Sequence, residues 1–159
     1  MRRRVLTALV VATTAAACAP AGPAPPPAPV VESVAWGALQ PRYDGTVRAW
    51  GKGSFQNRGN SQANTSGNYE DREADGNGAY VRTEFQFWKK PPTGDVTWVY
   101  ETSRTTPEIG TAAGRKPIRD HNVNLRDDSS RARGAISVCS QFGWPVPDPC
   151  ERALPSFNY

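Results

Sequence analysis

The side chains able to do nucleophilic or metal chemistry are scarce, since the sequence has three cysteines and one histidine, His121. A single histidine excludes zinc motifs built on paired histidines. A Ser-His-Asp triad would have to use His121, but the chain lacks the Gly-x-Ser-x-Gly turn that presents a nucleophilic serine. Arg119 and Asp120 only supply charge beside it. We therefore expect His121 to be a loop residue and predict no catalytic residue.

Paired carboxylates are the other source of chemistry. The strand pairing described below would place Glu84 opposite Glu101 on the polar face of a hairpin. Opposed carboxylates bind a cation, do acid–base work as in retaining glycosidases, or are neutralised by arginine. The candidates for neutralisation are Arg48, Arg82 and Arg104. We favour neutralisation; a hydrolase using this pair, or Asp127 and Asp128, is the alternative.

A weak calcium pattern follows at residues 71–77. Asp71, Glu73, Asp75 and Asn77 alternate before and after a glycine, as at the start of a calcium loop. The twelfth position is Arg82, where such loops carry a bidentate glutamate. A turn leading into a strand explains the same residues, so we expect neither a metal nor a cofactor.

Two tryptophans fall on polar faces by strand alternation, Trp50 and Trp88. Exposed tryptophan beside arginine can stack on sugars or anchor a protein partner. A ligand-binding surface around these residues would also include Arg48, Arg82, Glu84 and Glu101. Burial of both tryptophans beneath the segment 57–78 is the alternative.

The cysteines indicate an oxidising compartment. Cys139 and Cys150 can pair, and their spacing is unlike the Cys-x-x-Cys of thiol oxidoreductases. We predict a disulfide that fixes a proline-rich C-terminal segment. Cys18 is left over as an odd thiol.

The N-terminal segment explains that odd cysteine. Residues 1–17 combine a basic start, a short apolar run and small residues, as export signals do. Ala15-Ala16-Ala17-Cys18 resembles a bacterial lipobox, in which Cys18 is acylated, although Ala15 stands where leucine is usual. Ordinary cleavage after Ala-x-Ala is the alternative. We favour a lipid on Cys18, which would attach the protein to the outer face of a membrane.

The composition then divides the chain and limits its partners. Residues 18–31 form an Ala/Pro-rich tether that prefers an extended conformation, and residues 32–159 form one domain. The formal net charge of +4 depends on three arginines of the leader. Without residues 1–17, 16 basic residues face 15 acidic ones, so we expect no nucleic-acid partner.

The domain reads as all-β. Valine, threonine and aromatic residues dominate it, and no long stretch repeats every 3.6 residues. We predict an antiparallel sandwich or small barrel of about six to seven strands, with strands at 46–56, 79–89, 95–104 and 133–142 and shorter ones at 32–35 and 122–126. Residues 57–68 are predicted to be a mobile polar loop.

The hairpin of 79–89 with 95–104 is the clearest element. Placing Phe87 opposite Trp98 and Phe85 opposite Tyr100 puts every large aromatic except Trp88 on one face. Gly51 and Gly53 share the apolar side of their strand, where a neighbouring aromatic would lie across them.

Several segments together carry a family resemblance. They are the Arg-rich leader, the Ala/Pro spacer, and the sequences Asp75-Gly76-Asn77-Gly78-Ala79-Tyr80-Val81, Ala135-Ile136-Ser137-Val138-Cys139 and Pro147-Asp148-Pro149-Cys150. The combination resembles small exported, mostly uncharacterised β-rich proteins of high-GC actinobacteria. The resemblance implies export and a β domain, and it transfers no catalytic residue.

The functional expectation is a surface-associated binding or structural module. Its partner would be an extracellular protein, a wall glycan or a small ligand. The absence of a nucleophile–base pair in the sequence favours binding over the hydrolase alternative.

Overall fold

The structure, a computed structural model, describes residues 29–143 and 145–159. The predicted export signal, Cys18 and residues 18–28 of the tether lie outside the described residues, as does Trp144. No helix in the described ranges is long and apolar enough to cross a membrane.

Two antiparallel sheets form the domain, which confirms the all-β prediction. The first sheet has the order β1-β4-β5, with β8 and β9 both on the outer side of β5. Its strands are β1 (Val30–Leu39), β4 (Ala49–Arg58), β5 (Gln62–Asp71), β8 (Lys116–Pro117) and β9 (Asn122–Asn124).

The second sheet has the order β7-β6-β10, with β11 and β12 both on the outer side of β10. Its strands are β6 (Ala79–Lys89), β7 (Thr97–Thr105), β10 (Arg131–Ser140), β11 (Cys150–Ala153) and β12 (Ser156–Asn158). A separate ribbon pairs β2 (Arg42–Tyr43) with β3 (Thr46–Val47), and Thr111–Ala113 form a single 3-10 turn.

The core lies between the sheets, which pack as a sandwich and do not close into a barrel. Phe55 of β4 sits at its centre, 6.1 Å from Phe85 and 5.1 Å from Phe157 between ring centroids. Phe55 also covers Gly134, where a Cβ would lie 2.8 Å from the Phe55 ring. The first sheet thus packs on three strands of the second through one aromatic side chain.

Each of the two glycines of β4 has a buried aromatic residue directly opposite in a neighbouring strand. Tyr69 of β5 pairs with Gly51, and Trp36 of β1 pairs with Gly53. A Cβ at Gly51 would also meet Val138, and one at Gly53 would meet the backbone of Ser66 and Gly67 in β5. Glycine is needed at position 53 because β4 and β5 approach too closely there for any side chain.

The predicted hairpin forms, but its register is shifted by one residue beside the turn and by two residues from Phe85 onwards. Trp88 pairs with Trp98 and Phe87 with Val99, and the pairing is irregular between Phe85 and Gln86. A bulge inserts an extra residue into one strand and changes which side chains share a face.

The shift divides the aromatic residues between the two faces of the sheet. Phe85 and Phe87 are buried in the core, whereas Tyr100 is 55% exposed. The expectation of one aromatic face was therefore wrong.

Residues 57–68 are not a mobile loop; they form the end of β4 and most of β5. Gly59 and Asn60 connect these strands with left-handed φ angles of 57° and 51°. Ala63 and Thr65 are buried on the inner face. This part of the sequence has no run of apolar residues that would indicate strands. The dipeptide Gly59-Asn60, however, is a recognised signal for a hairpin turn.

The remaining boundaries need small corrections. β1 begins at Val30, inside the predicted tether, and extends to Leu39 rather than to residue 35. β10 ends at Ser140, so Phe142 lies beyond it and packs on Tyr43 with 4.6 Å between ring centroids.

The predicted disulfide is present. Cys139 and Cys150 are directly opposite in β10 and β11, with their Cα atoms 4.2 Å apart. Closing such a short loop destabilises the unfolded chain by somewhat less than the roughly 3 kcal/mol of a 15-residue loop. Within the loop, Asp148 accepts hydrogen bonds from the Tyr80 hydroxyl at 2.7 Å and the Phe142 amide at 2.8 Å. The segment is therefore held by side chains as well as by the covalent bond.

Candidate functional site

The paired carboxylates do not form a site. Glu84 is paired with Ser103 across the hairpin, so it does not face Glu101. Arg82 and Arg152 lie 3.0 and 2.8 Å from the Glu84 carboxylate. We favoured neutralisation of this carboxylate by arginine. Glu84 is neutralised in this way, by Arg82, which was one of the candidates, and by Arg152.

Glu101 is neutralised separately. Arg126 lies 3.2 Å and Lys89 3.9 Å from its carboxylate oxygens. The same two cations contact Asp128, at 3.6 and 3.4 Å. The two carboxylates are therefore each neutralised by their own cations and do not face each other across the hairpin.

The residues of the calcium pattern form an ion pair and a turn within the domain. Asp75 binds Arg48 at 2.7 Å and accepts a hydrogen bond from the backbone amide of Asn77 at 2.9 Å. Partial burial acts to raise the pKa of Asp75, but the Asn77 bonds and the Arg48 charge outweigh it and lower that pKa. Among the described residues, Asp71, Glu73 and Asp75 do not converge as a group that could hold a metal ion.

Trp50 lies on the outer face of β4 but is covered. The Arg115 guanidinium lies 4.5 Å from the centroid of its ring, with Arg72 at 5.6 Å and Lys52 at 5.8 Å. Only 8% of Trp50 is exposed. The predicted role of Trp50 as an exposed binding platform is therefore wrong.

Trp88 belongs to a half-exposed cluster that we call the tryptophan–arginine surface, made of Trp88, Trp98, Arg131 and Arg133. The two indole rings meet edge to face at 5.4 Å. Arg131 lies 5.6 and 5.3 Å from the two ring centroids, and Arg133 lies 4.4 Å from that of Trp98. Trp88 is thus where the sequence placed it, but its neighbours are not Arg48 and Glu101.

A concave feature lies elsewhere on the domain. It is a pocket of about 550 Å³ between the segment that follows β7 and the segment that runs from β8 to β9. Tyr69 and His121, each 2% exposed, contribute to it together with the apolar side chains of Pro107, Ile109 and Pro117. Its volume and mostly apolar lining are those of a small-molecule site.

Hydrogen bonds fix the first wall of this pocket. Thr106 exchanges two bonds of 2.9 Å with Val81 of β6, one through its amide and one through its hydroxyl oxygen. The Tyr69 hydroxyl donates to the Pro107 carbonyl at 2.8 Å. Ile109 exchanges two backbone bonds with Ala79, at 2.8 and 3.0 Å. These bonds attach the wall to β5 and β6.

The second wall is attached to β5. The Ile118 amide donates to the Gly67 carbonyl at 2.9 Å, and the Thr65 amide donates to the His121 carbonyl at 2.8 Å. Between these contacts Asp120 adopts a left-handed φ of 57°, which few residues other than glycine, asparagine and aspartate tolerate. This reversal turns the chain so that His121 is buried.

His121 is the unusual group of the pocket. Its Nδ1 lies 3.1 Å from the Thr83 hydroxyl, and its buried Nε2 has no hydrogen-bond partner among the described residues. Burial lowers the pKa of His121 to about 4, and the Arg104 charge adds to this effect against the opposing influence of the Thr105 backbone and Asp120. The imidazole is therefore neutral at pH 7.

The pocket escaped sequence reasoning for a structural reason. Its lining comes from β5, from the end of β7 and from residues 116–121, which no motif connects. His121, which we expected to be a loop residue, does lie just outside β9, yet it is buried. The sequence feature that could have indicated its burial is that the single histidine, although it follows two charged residues, directly precedes the strand Asn122–Asn124.

Comparison of the chain with protein-family models, with curated proteins and with solved structures finds no match.

Proposed function

We propose that this protein is an exported, surface-associated binding module that holds a small, largely apolar ligand in the pocket of Tyr69 and His121. The observation that carries the proposal is an apolar pocket of about 550 Å³ whose walls are held in place by hydrogen bonds to β5 and β6. An apolar ligand gains free energy by leaving water for such a pocket.

Binding is a better account than catalysis. Glu84 and Glu101, the carboxylate pair of the hydrolase hypothesis, are each neutralised by their own cations. His121 has a pKa of about 4 and contacts a threonine through Nδ1 rather than a carboxylate. A general base poised near neutral pH and oriented by an acid needs the opposite arrangement.

A pocket-blocking variant tests the proposal. Phenylnaphthylamine, a neutral apolar fluorophore, should bind the wild type, and Thr105→Trp should weaken its binding about tenfold or more by filling the pocket. Thr105 lines the pocket with an exposed side chain at the end of β7. Thr97→Trp is the matched control, because Thr97 is an exposed threonine at the other end of the same strand. Dissociation constants come from fluorescence titration of each variant.

Two outcomes would count against the pocket. The proposal fails if the wild type does not bind the probe, or if Thr105→Trp and Thr97→Trp bind it equally well. Probe binding that survives Thr105→Trp and is lost in Trp88→Ala would assign the ligand to the tryptophan–arginine surface. That surface is the second candidate, because an arginine stacked on two indoles is a geometry suited to a glycan or protein partner.

Export and lipid attachment are part of the proposal. Support comes from the leader, from the lipobox-like Ala15-Ala16-Ala17-Cys18, and from the Cys139–Cys150 disulfide, which is compatible with an extracellular environment. The small exported proteins of actinobacteria are the group in which we place it, with a membrane contact through the acyl chain and no nucleic-acid partner.

Lipid attachment is testable on the full chain in a bacterial host. The wild type should partition into detergent, and Cys18→Ser should move it to the aqueous phase because the acyl acceptor is lost. Ala19→Ser, which retains the cysteine, is the control and should behave as the wild type. Recovery of all wild-type protein from the culture fluid with an unmodified Cys18 would contradict lipidation.

A further inference from the structure

The pocket is lined by positively charged side chains as well as by apolar ones. Arg104, Lys116 and Arg119 all line it and are all exposed. None of the three forms an ion pair within the described parts of the chain. By contrast, the arginines that flank the other carboxylates of the domain, such as Arg48 and Arg126, are paired.

The negative charge at the pocket is smaller. Asp120 is the acidic side chain of its lining, and it lies beyond ion-pair distance of the three cations. His121 is uncharged at pH 7. The lining therefore carries three positive charges against one negative charge, at the mouth of an apolar cavity.

We infer that the ligand of this pocket is an amphipathic anion: an apolar body that enters between Ile109 and Pro117, with one carboxylate, sulfonate or phosphate group held by Arg104, Lys116 and Arg119. The inference rests on the proposed function, since it names the ligand class of the same site. Unpaired guanidinium groups offer charge-assisted bonds to such a head group, and the apolar body gains by leaving water.

Two fluorophores separate the anionic contribution from the apolar one. Anilinonaphthalene sulfonate has the skeleton of phenylnaphthylamine plus one sulfonate. The triple variant Arg104→Gln, Lys116→Gln, Arg119→Gln should weaken sulfonate binding roughly tenfold while changing phenylnaphthylamine binding less than about twofold. The matched control is Arg42→Gln, Arg58→Gln, Lys90→Gln, which removes two arginines and one lysine away from the pocket; it should leave both affinities unchanged.

Salt gives a second measurement that needs no variant. Raising the salt concentration from about 0.01 M to about 1 M shortens the screening length from about 30 Å to about 3 Å. Sulfonate binding to the wild type should weaken, and phenylnaphthylamine binding should not.

The failures of the two proposals can be distinguished. If phenylnaphthylamine binds and Thr105→Trp blocks it, but sulfonate affinity is insensitive to both salt and the triple variant, the anion inference is wrong and the pocket remains. An equal loss of sulfonate affinity in the triple variant of the pocket and in the control triple variant would also overturn the anion inference. The loss would then result from the lower net charge of the protein and not from the pocket residues. If neither fluorophore binds the wild type, both proposals fail.

Discussion

Gly53→Ala should lower the free energy of unfolding by about 4 kcal/mol or more, a large share of a typical total of about 5–15 kcal/mol. A Cβ at this position would clash with the Ser66 carbonyl oxygen and would lie 2.7 Å from the Gly67 Cα atom. Both neighbours are backbone atoms of β5, which pairs with β4 through Gly53 and Gly67. The strands must therefore separate, since no side-chain rotation relieves the contact.

Gly37→Ala is the control, because a Cβ at Gly37 meets nothing within 4 Å. It should change stability by no more than about 1 kcal/mol, and the change can be stabilising because alanine restricts the unfolded chain. Urea denaturation followed by tryptophan fluorescence measures both variants. Equal stability of the two proteins would show that β4 and β5 are not as close as described.

The second large expected effect is a pH dependence of the free energy of unfolding, caused by His121. The pKa of His121 is about 4 in the folded protein, whereas the unfolded chain has the ordinary histidine pKa of 6.5. Above pH 6.5 the imidazole is neutral in both states and its stabilisation is complete. As the pH falls from 6.5 to 4 the unfolded chain binds a proton that the folded protein does not, so stability decreases by on the order of 3 kcal/mol. Below pH 4 this contribution changes no further.

His121→Asn should remove this dependence, because the amide can still meet Thr83 but does not titrate. Subtracting the unfolding free energies of variant and wild type at each pH cancels the carboxylates common to both, Asp71 and Asp75 included. The His121 ring proton can also be titrated directly by NMR without assignment ambiguity, since the chain has one histidine. A midpoint near 6.5 in the folded protein would mean that the ring is in contact with water.

The strands of the sandwich could be predicted from the sequence where alternation was strong, but their pairing could not. β6 and β7 were located to within two residues at each end. Their register was wrong by one residue beside the turn, because the connection spans residues 90–96 rather than 91–94. It was wrong by a second residue beyond the bulge at Phe85, which leaves no trace in the residue pattern. The expectation that Trp98 and Tyr100 share the core face with Phe85 and Phe87 also failed, since Trp98 packs on Arg133 outside the core and Tyr100 is exposed.

The site was less predictable than the fold. Trp50 was correctly placed on an outer face, but Arg115, distant in sequence, covers it. The pocket depends on contacts such as Tyr69 with Pro107 and Thr83 with His121, which form only when both sheets are assembled. A single sequence carries no local signal for such long-range contacts.

The pairing of the last strand has a consequence for how the chain is made. β12 pairs with β10 and brings Phe157 against Phe55, which was synthesised much earlier. Until Phe157 arrives, Phe55 lacks one of its aromatic neighbours and β10 has an open edge over Arg131 to Arg133. Long-range strand pairing is slow, and unpaired edges aggregate while they wait. A chain with this topology therefore cannot complete its core until β12 has been synthesised.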